Sequence, residues 1–192
     1  MTEWSTDAAR SYAAGLLVGD RVELRALREG ELEVLDGWWN EPAEMVLQNA
    51  VIRPQPRGSM TETLTRWHAN EGDVGFAVVE RSSGELAGSA VLFGSMLPMR
   101  SATYAVQLGP GYQGRGLGPE VTRMMLRYGF DQMGLHRIQL AVWAYNGRAI
   151  AAYERAGFVV EGRRRDAVFH GGQFHDEVLM AVLEPEWRAR QA

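Results

Sequence analysis

Apolar and polar residues alternate strictly through Arg21-Val22-Glu23-Leu24-Arg25-Ala26-Leu27, which predicts a first strand with one wet face. The period then changes. Leu32, Leu35, Trp38 and Trp39 recur at helical spacing over residues 29–40. Asn40-Glu41-Pro42 ends that helix, because a residue before proline avoids the helical region. Residues 45–58 contain Pro54 and Pro56 and predict no single regular element. Ser59, with Glu62 three positions on, has the form of a capping box and starts a short helix reaching about Asn70. Residues 74–80 and 86–93 flank the turn Arg81-Ser82-Ser83-Gly84-Glu85 as an antiparallel hairpin. Residues 94–100, with Pro98, read as a loop, and residues 101–108 as a fourth strand. Beyond a glycine-rich break, Leu117, Val121, Met124, Met125 and Tyr128 mark one face of a helix that Gly134 stops. Residues 136–143 alternate as a fifth strand. Asn146 suits the N-cap of a helix that carries Ile150 and Tyr153 and ends at Gly157. Residues 158–169 and 174–183 pair around Gly171-Gly172.

The predicted order is β-α-α-β-β-β-α-β-α-β-β. A strand, a crossover helix and the next strand make a parallel unit. The expected class is therefore α/β (α+β), with a mixed, mostly antiparallel sheet of about seven strands, a parallel β4-β5 pair and flanking helices. Residues 1–18 lack a partner pattern and read as an N-terminal arm, helix-compatible over 8–16; residues 19–192 read as a single domain.

Composition narrows the function classes. No apolar run approaches a membrane span, and the acidic N-terminus lacks the features of a signal peptide. No membrane partner is expected, and the cytoplasm is the expected compartment. The chain has no cysteine, which removes disulfides, a thiol nucleophile and cysteine-ligated metals. The net charge of −4 argues against broad nucleic-acid binding and mildly suits a cationic amine. Arg163-Arg164-Arg165 reads as a solvated strand face, since no aromatics interleave it for stacking.

The break between the fourth strand and the long helix carries the chemistry. Val106-Gln107-Leu108 runs into Gly109-Pro110-Gly111 and then places glycine at 114, 116 and 118. Strand, glycine turn and helix N-terminus together present bare backbone N–H groups and the positive end of a helix dipole, which suits phosphate or pyrophosphate. Arg115 could add charge there. A nucleoside-triphosphate loop would end in Gly-Lys-Ser/Thr, whereas Gly118 precedes Pro119-Glu120. Gly109, Gly111 and Gly114 have dinucleotide-loop spacing, but Pro110 interrupts them and the next strand brings no acidic residue for a ribose.

Gln113-Gly114-Arg115-Gly116-Leu117-Gly118 resembles the Gln/Arg-x-x-Gly-x-Gly/Ala signature of the GCN5-related N-acetyltransferases (GNAT). The resemblance continues through Asn146-Gly147-Arg148-Ala149-Ile150 and Tyr153-Glu154-Arg155-Ala156-Gly157-Phe158. Glu161-Gly162-Arg163 and Gly172-Gln173-Phe174-His175-Asp176 look most like the ribosomal-protein-alanine N-acetyltransferase branch, and the likeness spans residues 19–183. It implies acetyl-CoA as co-substrate and no metal. It also implies pyrophosphate on the backbone of Gln113, Gly114, Arg115, Gly116, Leu117 and Gly118, and pantetheine against the main chain of Val106 and Leu108, between splayed fourth and fifth strands. Asn146 would bond near the pantetheine, and Tyr153 would serve as general acid toward the departing thiolate. Pro119 departs from the small residue often found there, removing one donor. The implied acceptor is a primary amine, either a protein N-terminus or a small molecule. The segment expected to shape its site holds Trp38, Trp39, Glu41, Pro42, Glu44, Met45 and Trp67. Thr103, counted with the acceptor site, aligns where many relatives carry a glutamate base, leaving deprotonation to water, a backbone carbonyl, His136, His170, His175, Glu41 or Glu44, or to no dedicated base where the amine has a low pKa. The alternative reading is a silent acyl-CoA-binding sensor or partner module. Dimers are common in the family and leave a homodimer open, although no interface is legible.

Overall fold

A computed structural model describes residues 4–96 and 98–191. Its sheet is built from β1 (Val22–Arg25), β2 (Val74–Glu80), β3 (Glu85–Met96), β4 (Ser101–Leu108), β5 (Arg137–Trp143), β6 (Val159–His170) and β7 (Gln173–Leu183). The seven strands lie in the order β1-β2-β3-β4-β5-β7-β6, and β4–β5 is the parallel neighbour pair. The helices are α1 (Thr6–Leu16), α2 (Glu31–Trp39), α3 (Pro42–Gln48), α4 (Thr61–His68), α5 (Leu117–Asp131), α6 (Gly147–Ala156) and α7 (Glu184–Ala189).

The apolar stripe of α5 buries Leu117, Val121, Met124 and Met125 against the sheet. Gly129 sets how closely they pack, since a Cβ there would lie 2.6 Å from Ile138 Cδ1. Successive strand residues point to opposite faces. Leu92 meets α5, and its neighbour Phe93 meets Trp67 of α4 at 5.1 Å on the other face. α2, α3 and α4 therefore cover the face opposite α5.

Several local expectations shift. The 94–100 loop is partly strand, because β3 continues through Gly94 (φ 65) to Met96; Leu97 of that loop lies outside the described residues. Pro42 opens α3 instead of only closing α2, because a missing N–H costs nothing in a first helical turn. α4 starts at Thr61 with Met60 at the N-cap and no side-chain cap, so the Ser59–Glu62 box does not form. Asp36 takes the loop's amides instead. It is 1% exposed, and its carboxylate accepts from Gly58 N at 2.8 Å and Met60 N at 3.0 Å. Asp36→Asn puts an amide donor against one of those N–H groups, an expected loss of about 1–2 kcal/mol. The thermal midpoint should fall by roughly 2–6 °C in a calorimetric melt. Residues 1–3 of the expected arm lie outside the described residues. The rest contains α1, capped by Ser5 and set against α5 by Gln132 Nε2 donating to Tyr12 Oη at 2.8 Å.

The pairing of β4 with β5 is short. Ser101 faces Arg137, Ala102 faces Ile138 and Thr103 faces Gln139. Beyond Thr103 the two strands diverge. β5 keeps its ladder with β7 as far as Trp143, and β4 keeps its ladder with β3 as far as Leu108. The backbone of β4 facing the gap has no strand partner.

Candidate active site

The gap opens into a cavity of about 490 Å³, with residues 104–108 of β4 on one side and residues 140–143 of β5 on the other. At one end stand Gly114, Gly116 and Gly118, where the chain turns into α5. Gly114 (φ 71) and Gly116 (φ 81, the N-cap of α5) occupy the left-handed region that disfavours other residues. Arginines flank them. Arg21 Nη1 lies 3.0 Å from where a Cβ on Gly116 would be, and Arg148 Nη1 lies 3.7 Å from the same point on Gly114. A helix N-terminus, positive-φ glycines and two guanidinium groups make a setting whose chemistry suits an anion.

Arg115 is not one of those cations, against the expectation that it adds charge at the turn. Its guanidinium pairs with the buried Glu80 and sits over the Tyr112 ring at 5.4 Å. Leu117 is fully buried under α5, so its side chain belongs to the core and only its backbone faces the turn. Gln113 has a further role. Its Nε2 donates to Glu44 Oε2 at 2.5 Å and to Leu108 O at 3.0 Å, while its Oε1 accepts from Arg148 Nη2 at 2.7 Å. One side chain thus joins the turn, the end of β4, α3 and α6.

Tyr153 projects from α6 into the cavity. Its ring lies edge-on to Tyr104 at 6.2 Å and tilted on Phe158 at 5.7 Å. Burial alone pushes its hydroxyl from the usual 10 up to about 12, so it keeps its proton and can donate. The Tyr104 hydroxyl is committed to Thr122 Oγ1 at 3.1 Å. Asn146 caps α6, its Oδ1 accepting from Ala149 N at 3.2 Å, and lines the cavity.

The rest of the lining is partly aromatic and differs from the expected set. Trp39, Trp67, Phe93 and Trp143 line the cavity, and Glu44 lines it beside Gln113 of the glycine turn. Trp38 lies elsewhere, packed on Tyr112 at 6.4 Å with its indole against Gly109. Glu41 is the exposed N-cap of α3, and Glu44, almost one helical turn on, faces the cavity. Met45 is buried beside a separate shallow groove next to Trp39. Thr103 sits in the paired part of β4, ahead of the gap. His170 and His175 cluster around the Tyr145 ring at 6.2 and 5.0 Å, outside the cavity lining, as is His136.

Gln107, Trp143 and Arg148 line the cavity without having been singled out as site side chains. Gln107 is 6% exposed, and its Nε2 has no partner among the described residues. Its cross-strand neighbour Ser89 bonds His68 Nε2 at 2.8 Å. The His68 Nδ1–H donates to Leu64 O at 2.8 Å, and burial holds the imidazole below its usual range. A glutamine between the apolar Val106 and Leu108, just ahead of the glycine break, is the signal that marks position 107.

Residues 21–159 match the acetyltransferase (GNAT) domain model. The chain belongs to the GNAT acetyltransferase family. Spermidine N(1)-acetyltransferase of Vibrio cholerae is 27% identical to this GNAT chain over 183 residues, covering 90% of this chain and 99% of that protein. The [ribosomal protein uS5]-alanine N-acetyltransferase of Escherichia coli is 25% identical, covering 89% and 92%. A solved structure of the Vibrio cholerae spermidine enzyme in complex with CoA and spermine superposes with a TM-score of 0.78 at 27% identity, covering 88% of this chain and 99% of that one. This GNAT protein is an N-acetyltransferase that uses acetyl-CoA, and its mixed sheet with a parallel β4–β5 pair is the expected fold. No helix among the described residues is long and apolar enough to cross a membrane.

Proposed function

We propose that this GNAT enzyme acetylates a primary amine in the gap between β4 and β5, by direct attack of the amine on the thioester, with Tyr153 as the donor to the leaving sulfur. The carrying observation is that the unpaired stretch of β4 runs straight into the glycine turn, with Tyr153 facing it. Acetyl-CoA supplies an activated acyl carbon and a thiolate leaving group. The chain's own groups do the rest. Amides of residues 113–118, with Arg21 and Arg148 beside them, suit the pyrophosphate. The main-chain groups of Val106 and the N–H of Leu108 suit the pantetheine amides, as another strand would, while the Leu108 carbonyl already accepts from Gln113 Nε2. The Asn146 oxygen is occupied in capping, which leaves its NH₂ as a donor. The new C–N bond forms as the C–S bond breaks. The amine attacks in its neutral form and its surplus proton passes to solvent water, while the sulfur leaves as a thiolate that accepts a hydrogen bond from the Tyr153 hydroxyl and then takes a proton from solvent.

The acceptor is a small amine or a protein N-terminus; relatives named for spermidine and for a ribosomal-protein alanine support either. The reading is tested by calorimetric titration with acetyl-CoA, CoA and ATP, followed by thiol release with amines of each class. Stoichiometric binding of the CoA compounds but not ATP, with amine-dependent thiol release, is expected. Binding without release for any amine would favour the silent acyl-CoA module, and no binding would remove the glycine turn from the mechanism.

A further inference from the structure

We infer that Glu44 anchors the acceptor's ammonium, and that the acceptor carries a single positive charge next to an apolar body instead of the several charges of a polyamine. This rests on the acetyl-transfer reading above and adds the chemistry of the acceptor.

Glu44 is 8% exposed and faces the cavity. Its hydrogen-bond partner is the neutral amide of Gln113. Among the described residues no arginine or histidine pairs with it. A carboxylate withdrawn from water with no countercharge is costly, and a cation entering beside it removes that cost. The carboxylate is also held in place. Gln113 ties it to Leu108 O at the end of β4 and, through Arg148, to α6. An ammonium on Glu44 is thereby registered to the strand expected to hold the thioester arm, and it loses one proton to solvent before the neutral nitrogen attacks.

The surrounding walls decide what the rest of the acceptor resembles. Trp39, Trp67, Phe93 and Trp143 line the same cavity, with Trp39–Trp67 centroids 6.3 Å apart and Trp67–Phe93 centroids 5.1 Å apart. Aromatic faces accept both a cation and an apolar group. Counter-charges are scarce. The other carboxylate lining the cavity, Glu177, is already paired with Arg164 at 2.6 Å, and Arg148 and Arg155 add positive charge to the lining. One unpaired carboxylate among aromatics and arginines matches one ammonium. It leaves the further ammonium groups of a polyamine without partners and against like charge.

The test is thiol release at neutral pH with phenethylamine, an alanyl-phenylalanyl peptide amide, spermidine and spermine, for the parent and Glu44→Gln. The glutamine keeps an acceptor for Gln113 and removes only the charge. The parent should favour one of the monocations over both polyamines by at least about tenfold in kcat/KM, and this ranking needs no variant. Which monocation leads distinguishes a small arylalkylamine from a peptide N-terminus. Glu44→Gln should raise KM for that acceptor about 10²-fold, with acetyl-CoA affinity by calorimetry within a few-fold. Preference for spermidine or spermine, or an unchanged KM in Glu44→Gln, would overturn the inference while leaving acetyl transfer intact. Acetyl-CoA binding with no release for any acceptor would remove both.

Discussion

Replacing Tyr153 by phenylalanine is expected to lower kcat about 10²-fold or more while leaving acetyl-CoA affinity within a few-fold of the parent. The ring stays, so its contacts with Tyr104 and Phe158 survive and only the hydroxyl is lost. That hydroxyl sits at about 12 because of burial, whereas an ordinary thiol titrates near 8.5. Complete proton transfer to a free thiolate would therefore be uphill. The gain comes from a hydrogen bond that strengthens as negative charge develops on sulfur, which is a transition-state effect and belongs in kcat. The same shift fixes the pH behaviour. An unperturbed phenol would start losing its donor proton near about pH 10. Raising the value keeps the donor form populated through that range, so Tyr153 should impose no falling limb on kcat below about pH 10. Steady-state kinetics with saturating amine check both points. Equal kcat in the two proteins, or a phenylalanine variant that erases a falling limb between about pH 8 and 9.5, would remove Tyr153 from this role.

A valine at position 116 is expected to weaken acetyl-CoA binding about 10²-fold. Two effects add. The backbone there has φ 81, a conformation that a β-branched residue adopts only with strain. Its Cβ would also meet Arg21 Nη1 at 3.0 Å, displacing a cation from the anion site. Gly116 is the N-cap of α5, so a shift there moves the first free amides of the helix, the groups expected to hold phosphate. Gly111→Ala is the matched control. It lies in the same glycine-rich segment but has no positive φ and open space where a Cβ would be, and its affinity should stay within about twofold of the parent. Calorimetric titration of both variants with CoA, beside their thermal melts, separates lost binding from lost folding. Equal affinity for the valine variant would mean that the phosphates do not sit on this turn.

Features with a local cause were legible in the sequence. β2 and β4 have the bounds that their apolar patterns predict, and α5 buries the stripe read from its spacing except Tyr128, which is half-buried. Asn146 caps α6, and Gly114 and Gly116 adopt the positive φ values that a glycine-rich turn permits. Periodicity, capping and backbone freedom act within a few residues, so one chain segment contains their whole cause. α3 was missed for a local reason too, because Pro42 was read only as an end when it also opens the next helix.

What a side chain faces has no such local cause. A helix turns about 100° per residue, so the pattern of α2 marks a pair of tryptophans without saying which lines a cavity. Packing gives Trp38 to Gly109 and Tyr112, and Trp39 to the gap. The same rotation separates Glu41 at the start of α3 from Glu44 in the cavity. Arg115 carries the right charge in the right motif, yet Glu80, 35 positions away, takes it. Gln113 was legible as a motif residue, but its bonds to Glu44 and Arg148 cross 69 and 35 positions. By itself the sequence determined the order of elements, the glycine turn and the family those motifs resemble, because each is written in neighbouring residues. Only the tertiary structure decided where β4 leaves β5, which aromatics face the gap and which carboxylate is left without a cation, because each depends on segments meeting that are far apart in the chain.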